Sequence, residues 1–155
     1  MGPALVGCGG GDGGDGGGPV EVEAPDLAGA DAAACASLLD DLPATLAGQE
    51  AREVSPGSAP AAAWGDPALV LTCGVAEPAG LDEFASCQVV DGVDWFVPPE
   101  QLDDPGGDVL MTTIGTRPRV SLLVPADLRG PTSSTALVEL ADPVKDDLEK
   151  VDRCG

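Results

Sequence analysis

At 155 residues the chain is long enough for one domain with its own core, and 27 acidic against 7 basic side chains leave a formal charge of −20. That balance argues against nucleic acid, whose phosphates need clustered Lys and Arg, and against direct docking on an anionic bilayer. Histidine is absent, which excludes Ser-His-Asp and Cys-His machinery, and with no Cys-x-x-Cys pair either the usual tetrahedral zinc patterns fail too.

The chain opens with Leu5-Val6-Gly7-Cys8, followed by a Gly- and Asp-rich run to Gly18. Small residues before a cysteine are what a lipoprotein signal ends on, the sulfur of the cysteine taking a diacylglycerol. Residues 1–8 are therefore expected to be the remnant of such a signal, with Cys8 lipidated. Met1 to Val6 lack a positive charge and the apolar run of about 7–15 residues that export requires, so the true start is expected further upstream. Residues 9–18 read as a flexible tether spanning roughly 18 Å. That exceeds the Debye length of about 8 Å at physiological salt, enough for an acidic body to stand clear of anionic head groups. The competing reading is an unmodified Cys8 in a cytoplasmic tail. Residues 19–155 form the single domain.

Within it, Val20-Glu21-Val22-Glu23 alternates apolar and charged residues and reads as a short strand. Asp31 is expected to cap a helix starting at Ala32, with Cys35, Leu38, Leu39 and Leu42 as its buried stripe and Leu46 adding a further turn. Residues 53–67 are rich in Pro, Ala and Ser and read as a loop. Residues 68–73 form a compact apolar run, hence a buried strand. The sharpest local signal is Asp91-Gly92 between residues 87–90 and 93–97, a two-residue hairpin whose turn needs positive φ. An acidic loop follows at 98–108. Residues 109–114 and 120–124 make a second hairpin through Gly115-Thr116-Arg117-Pro118. Leu137, Leu140, Ala141, Val144, Leu148 and Val151 then hold a helical stripe. Pro143 either kinks that helix or, with Asp142 as cap, begins a second segment.

Five cysteines are present. With Cys8 lipidated, Cys35, Cys73, Cys87 and Cys154 remain, an even number that suits two disulfides in an exported domain. Cys35 on the inner helix face and Cys73 on the strand beneath it would staple helix to sheet, leaving Cys87 with Cys154. The rival pairing is Cys73–Cys87 with Cys35–Cys154.

Several motifs occur together: Ala34-Cys35 with Leu38 and Leu42-Pro43, Ala63-Trp64-Gly65-Asp66-Pro67, Leu71-Thr72-Cys73-Gly74-Val75, Val90-Asp91-Gly92-Val93-Asp94-Trp95, and Thr113 to Arg119 with Val120 to Pro125. In these, from about Val20 to Val151, the chain resembles the domain-of-unknown-function 3515 family of actinobacterial envelope proteins. The resemblance implies an exported, membrane-attached protein and brings no catalytic residues.

Candidate chemistry is sparse. Asp91 and Asp94 on the hairpin and Asp103, Asp104 and Asp108 in the loop are the carboxylates that an acid–base pair could use; the plainer reading is solvated loop charge. The loop acids also suit a hard cation, but the EF-hand spacing is not met and no metal is expected. Arg117 and Arg119 flank Pro118 at a hairpin tip, where they could hold a carboxylate or phosphate of a partner, or simply pair with nearby acids. Trp64 and Trp95 are candidate contact residues that core packing could equally claim. The expected fold is α+β, a largely antiparallel sheet of about five strands with two helices on one face, stapled by disulfides. The expected function is a lipid-anchored extracytoplasmic envelope protein. Its body would be a non-catalytic binding or scaffolding module for an envelope protein or cell-wall component, without cofactor. The alternative is a carboxylate-dependent hydrolase acting on cell-wall material.

Overall fold

The computed structural model describes residues 18–151. Cys8, Cys154 and all of the tether except Gly18 lie outside those residues.

The chain runs β1 (Val20–Glu21), α1 (Gly29–Asp41), β2 (Thr45–Leu46), β3 (Gln49–Arg52), β4 (Val54–Ser55), β5 (Ala61–Trp64) and the long β6 (Leu69–Val75). The hairpin β7 (Cys87–Val90) and β8 (Val93–Phe96) follows, then a single helical turn, α2 (Pro99–Leu102). Next come β9 (Val109–Thr113), β10 (Thr116–Arg117), β11 (Arg119–Val124), α3 (Pro131–Asp147) and β12 (Glu149–Lys150). Eight strands form one sheet in the order β2-β3-β5-β6-β11-β9-β8-β7, every neighbouring pair antiparallel. Two small pairs flank it, β1 with β4 in parallel and β10 with β12 antiparallel.

The α+β class stands, but among the described residues the sheet has eight strands rather than five, and there are three α-helices rather than two. The extra strands come from segments with no alternation of their own. Three alanines and a tryptophan make β5, inside the stretch expected to be a loop. It is a strand because β6 pairs on one side and β3 on the other. Leu46 does not prolong the first helix. Pro43 forces the preceding residue into extended backbone, and Leu42 ends α1 with ψ 146. The chain then turns into β2, from which Leu46 drops fully buried into the core. Ala47 and Gly48, both at positive φ, close the β2–β3 hairpin.

α1 begins earlier than expected, at Gly29, with no side-chain cap. Asp31 sits instead in its first turn, where a negative charge suits the positive end of the helix dipole. α3 is one continuous helix with Pro143 inside it, not two segments. It stops at Asp147, so Lys150 and Val151 lie beyond the helix.

Alternation places Leu69, Leu71 and Cys73 of β6 with Val120, Leu122 and Val124 of β11 on one face, all essentially inaccessible to solvent. α1 packs on β6 and against α3, whose Ala136, Leu137, Leu140, Ala141 and Val144 close the same core. Each buried Val or Leu side chain here contributes about 1.5–3 kcal/mol, which makes this face the main determinant of stability. On the opposite face, Val70, Thr72, Leu110, Ser121 and Leu123 floor a shallow cleft of about 600 Å³ that residues 21–23 partly overhang.

A disulfide joins Cys35 to Cys73, fastening α1 to the middle of the sheet. The rival pairings of either cysteine are thereby excluded. Cys87 is disulfide-bonded as well; the partner expected for it, Cys154, lies outside the described residues.

Candidate functional site

Six of the seven basic residues lie within the described range. Two of them serve the fold. Arg52 donates from Nη1 to the Gly65 carbonyl and from Nη2 to that of Gly18, both at 2.8 Å, with Asp66 3.9 Å away. Arg129 donates to the carbonyls of Asp104, Gly107 and Gln101 and so ties down the acidic loop. The other four, Arg117, Arg119, Lys145 and Lys150, gather around the β10–β12 pair.

That pair sets Thr116 opposite Lys150 and Arg117 opposite Glu149, and the Val151 N–H adds a bond of 3.0 Å to the Gly115 carbonyl. Hydroxyls fix the connection. Thr116 Oγ1 donates to the Pro118 carbonyl at 3.0 Å, so the proton in its 2.7 Å contact with Thr113 comes from Thr113 Oγ1. Thr113 Oγ1 in turn accepts from the Val120 N–H at 2.9 Å. A tip of two-residue strands is thereby held on the rigid β9–β11 frame.

Thr116 borders two clefts. The larger, about 570 Å³, is lined by Leu27, Asp31, Gly74, Val75, Thr116, Arg117, Pro118, Arg119 and Val151. Gly74 is required in its wall, since its φ is +87° and a Cβ there would run into the Leu27 side chain. The smaller cleft, about 210 Å³, is lined by Gly92, Val93, Asp94, Gly115, Thr116, Val144, Lys145, Leu148 and Lys150.

The four cations differ in how far they are already neutralised. Arg119 Nη2 stands 3.7 Å from Glu77 Oε2, a half-exposed pair of small energetic value. Lys145 Nζ donates to the Asp91 carbonyl at 2.8 Å and lies 3.7 Å from Asp142 Oδ1, its stem passing over Gly92. Arg117 and Lys150 are exposed and have no ion-pair partner among the described residues. An exposed guanidinium offers paired donors that match carboxylate or phosphate oxygens.

The sequence of this chain matches, over residues 11–153, the family described as "Protein of unknown function (DUF3515)". The chain belongs to that family. No curated protein and no solved structure matches it. Every described residue of the DUF3515 body, both clefts included, falls inside the matched span, whereas Cys8 precedes it.

Other expected site residues are scattered. Trp64 and Trp95 of this DUF3515 protein are 1% and 0% exposed, so neither ring faces a surface cleft. Trp64 Nε1 donates to the Pro43 carbonyl at 3.0 Å, a structural use. Asp91 lies at the β7–β8 turn with φ 49°, as the hairpin reading requires, while Asp94 borders the smaller cleft. Asp108 Oδ1 accepts from the Ala126 N–H at 3.0 Å, and the Asp104 carboxylate folds against Gly107, so the acidic loop spends these groups on its own shape. Among the described residues, no group of three or more Cys, Asp or Glu side chains is placed to hold a metal ion.

The perturbed acid is one that sequence reasoning did not single out. Asp147, last residue of α3, shares a hydrogen bond with Asp41, last residue of α1. That bond, then burial, then the charges of Asp41, Asp146 and Asp40 push its carboxyl up to about 6. No sequence signal brings residues 41 and 147 together; packing of the two helices does.

Proposed function

We propose that this DUF3515 protein is a lipid-anchored extracytoplasmic envelope protein whose body is a non-catalytic binding module. It takes a carboxylate or phosphate group of another envelope component in the larger cleft beside β10. One observation carries this reading: Arg117 is an exposed guanidinium without an ion-pair partner among the described residues, at a cleft of about 570 Å³, in a molecule of charge −20. Elsewhere in so acidic a molecule an anion would be repelled, so the β10–β12 end is where one can approach. The lipoprotein-like Leu5-Val6-Gly7-Cys8 and the disulfide-bonded body support the location.

Two measurements test it. Intact mass of the protein from its native membrane fraction should show a diacylglycerol on Cys8 and the loss of four thiol hydrogens; an unlipidated, fully reduced mass would overturn the location. Titration of inorganic phosphate, followed by amide shifts at residues 116–119, should saturate in the wild-type protein. Arg117→Ala should weaken it about tenfold, the value of one charge-assisted pair. Equal binding by both proteins would remove the larger cleft from consideration.

A further inference from the structure

α1 and α3 pack on one face of the sheet, and the cleft of about 600 Å³ lies on the other. Register sets Val70 of β6, Leu123 of β11 and Leu110 of β9 directly across three neighbouring strands, so their side chains form one row on that face. All three keep open surface: Val70 and Leu123 are half-buried and Leu110 is 38% exposed. The next row, Thr72 with Ser121, is nearly covered, so a ligand in the cleft meets the aliphatic row. β1 borders the same cleft through Glu21, Val22 and Glu23. It pairs with β4 alone, the Val20 and Val22 N–H groups donating to the Glu53 and Ser55 carbonyls at 2.8 and 3.0 Å. Main-chain groups alternate in direction along a strand, so those of Glu21 face away from β4 along an open edge.

We infer that this cleft docks an extended segment of a partner polypeptide in which aliphatic and basic residues alternate. The segment adds beside β1, with its aliphatic side chains on the Val70, Leu123 and Leu110 row and its cations opposite Glu21 and Glu23. Alternation is what lets an extended chain send apolar groups to one side and charges to the other. Charge decides the occupant. Glu21 and Glu23 are exposed, neither has an ion-pair partner among the described residues, and neither Lys nor Arg is among the described residues that line the cleft. Arg119, two positions before Ser121 on β11, borders the Arg117 cleft instead and faces Glu77. A second copy of the chain would bring its own Glu21 and Glu23 to the edge, and like charges set opposite each other destabilise a strand pair. An acidic segment is repelled in the same way. The volume lies within the range of about 300–1,000 Å³ usual for ligand sites. The cleft shares only Val75 with the Arg117 cleft and does not rest on the anion proposed there.

The test uses the ¹⁵N-labelled full chain and three pentapeptides capped at both ends: Lys-Val-Lys-Val-Lys, Lys-Ser-Lys-Ser-Lys and Glu-Val-Glu-Val-Glu. The first should give saturable amide shifts at Glu21, Val70, Leu110 and Leu123. The second has the same charge without the aliphatic side chains and should bind about tenfold more weakly; the third should not bind. Exchanging the exposed Glu21 and Glu23 together for Gln should weaken the first peptide about fivefold. Leu110→Thr keeps a strand-forming residue and should weaken it about tenfold, with phosphate shifts at residues 116–119 unchanged. The inference is overturned if the valine peptide gives no saturable shift or shifts only residues outside the cleft, if the serine peptide binds as tightly, or if either variant binds the valine peptide like the wild type.

Discussion

The molecule gathers like charges at two places and treats them differently. Where α1 and α3 end, Asp40, Asp41, Asp146 and Asp147 come together; around β10 and β12, Arg117, Arg119, Lys145 and Lys150 do. The acidic group relieves itself from within only as pH falls below about 6, where the raised Asp147 carboxyl takes up a proton. The basic group has no such outlet. Glu77 and Asp142 lie beside Arg119 and Lys145, whereas Arg117 and Lys150 have no ion-pair partner among the described residues. The difference between the two ends is thus between a charge cluster that a proton can quiet and one that only negative charge can offset.

Both ends presuppose that α1 is fixed to the sheet, so the largest effect should come from breaking that attachment. Replacing Cys35 and Cys73 together by Ala opens a crosslink spanning 38 residues, and should cost about 2–4 kcal/mol of unfolding free energy, read by urea titration. The acidic end is sharpened by Asp147→Asn. Because the folded-state pKa of about 6 lies above the ordinary carboxylate value of 3.8, the shared proton stabilises the fold fully below about pH 4. That contribution is lost as pH rises through about 6. The variant should therefore melt higher than the wild type at pH 7.5 and nearly alike at pH 4, by calorimetry; a uniform shift at both pH values would count against the shared proton. The smallest effect belongs to the basic end. Glu77→Gln removes the ion-pair partner that Arg119 has among the described residues and should change stability by less than about 0.5 kcal/mol. It should, however, tighten phosphate binding at residues 116–119 in the titration described above.

How much of this could be read from the chain follows from where each signal resides. The Asp91-Gly92 hairpin, the β6 strand and the Cys35–Cys73 crosslink were legible, because each depends on residues whose neighbours in sequence are also their neighbours in structure or whose periodicity fixes a face. β5 was not, since Ala61 to Ala63 have little preference for a strand and acquire one only between β3 and β6. Leu46 was misplaced because an apolar residue past a proline fits a helical stripe as well as a strand, and the deciding Ala47-Gly48 turn is short. At the basic end, proximity in sequence exposed Arg117 and Arg119. Lys150 joins them through two-residue strands more than thirty positions apart, a pairing no local pattern announces. The Asp41–Asp147 bond is further still.

The two indoles give the fold a built-in optical probe. The chain has no tyrosine, and its two tryptophans are both sealed in the core. Trp64 stands on the third strand of the sheet and Trp95 on the seventh, with β6, β11 and β9 between them. Emission excited at the red edge of indole absorbance therefore comes from two sites alone, one in each half of the molecule. Exchanging either for phenylalanine would let each half be followed as it closes or opens, without any added dye.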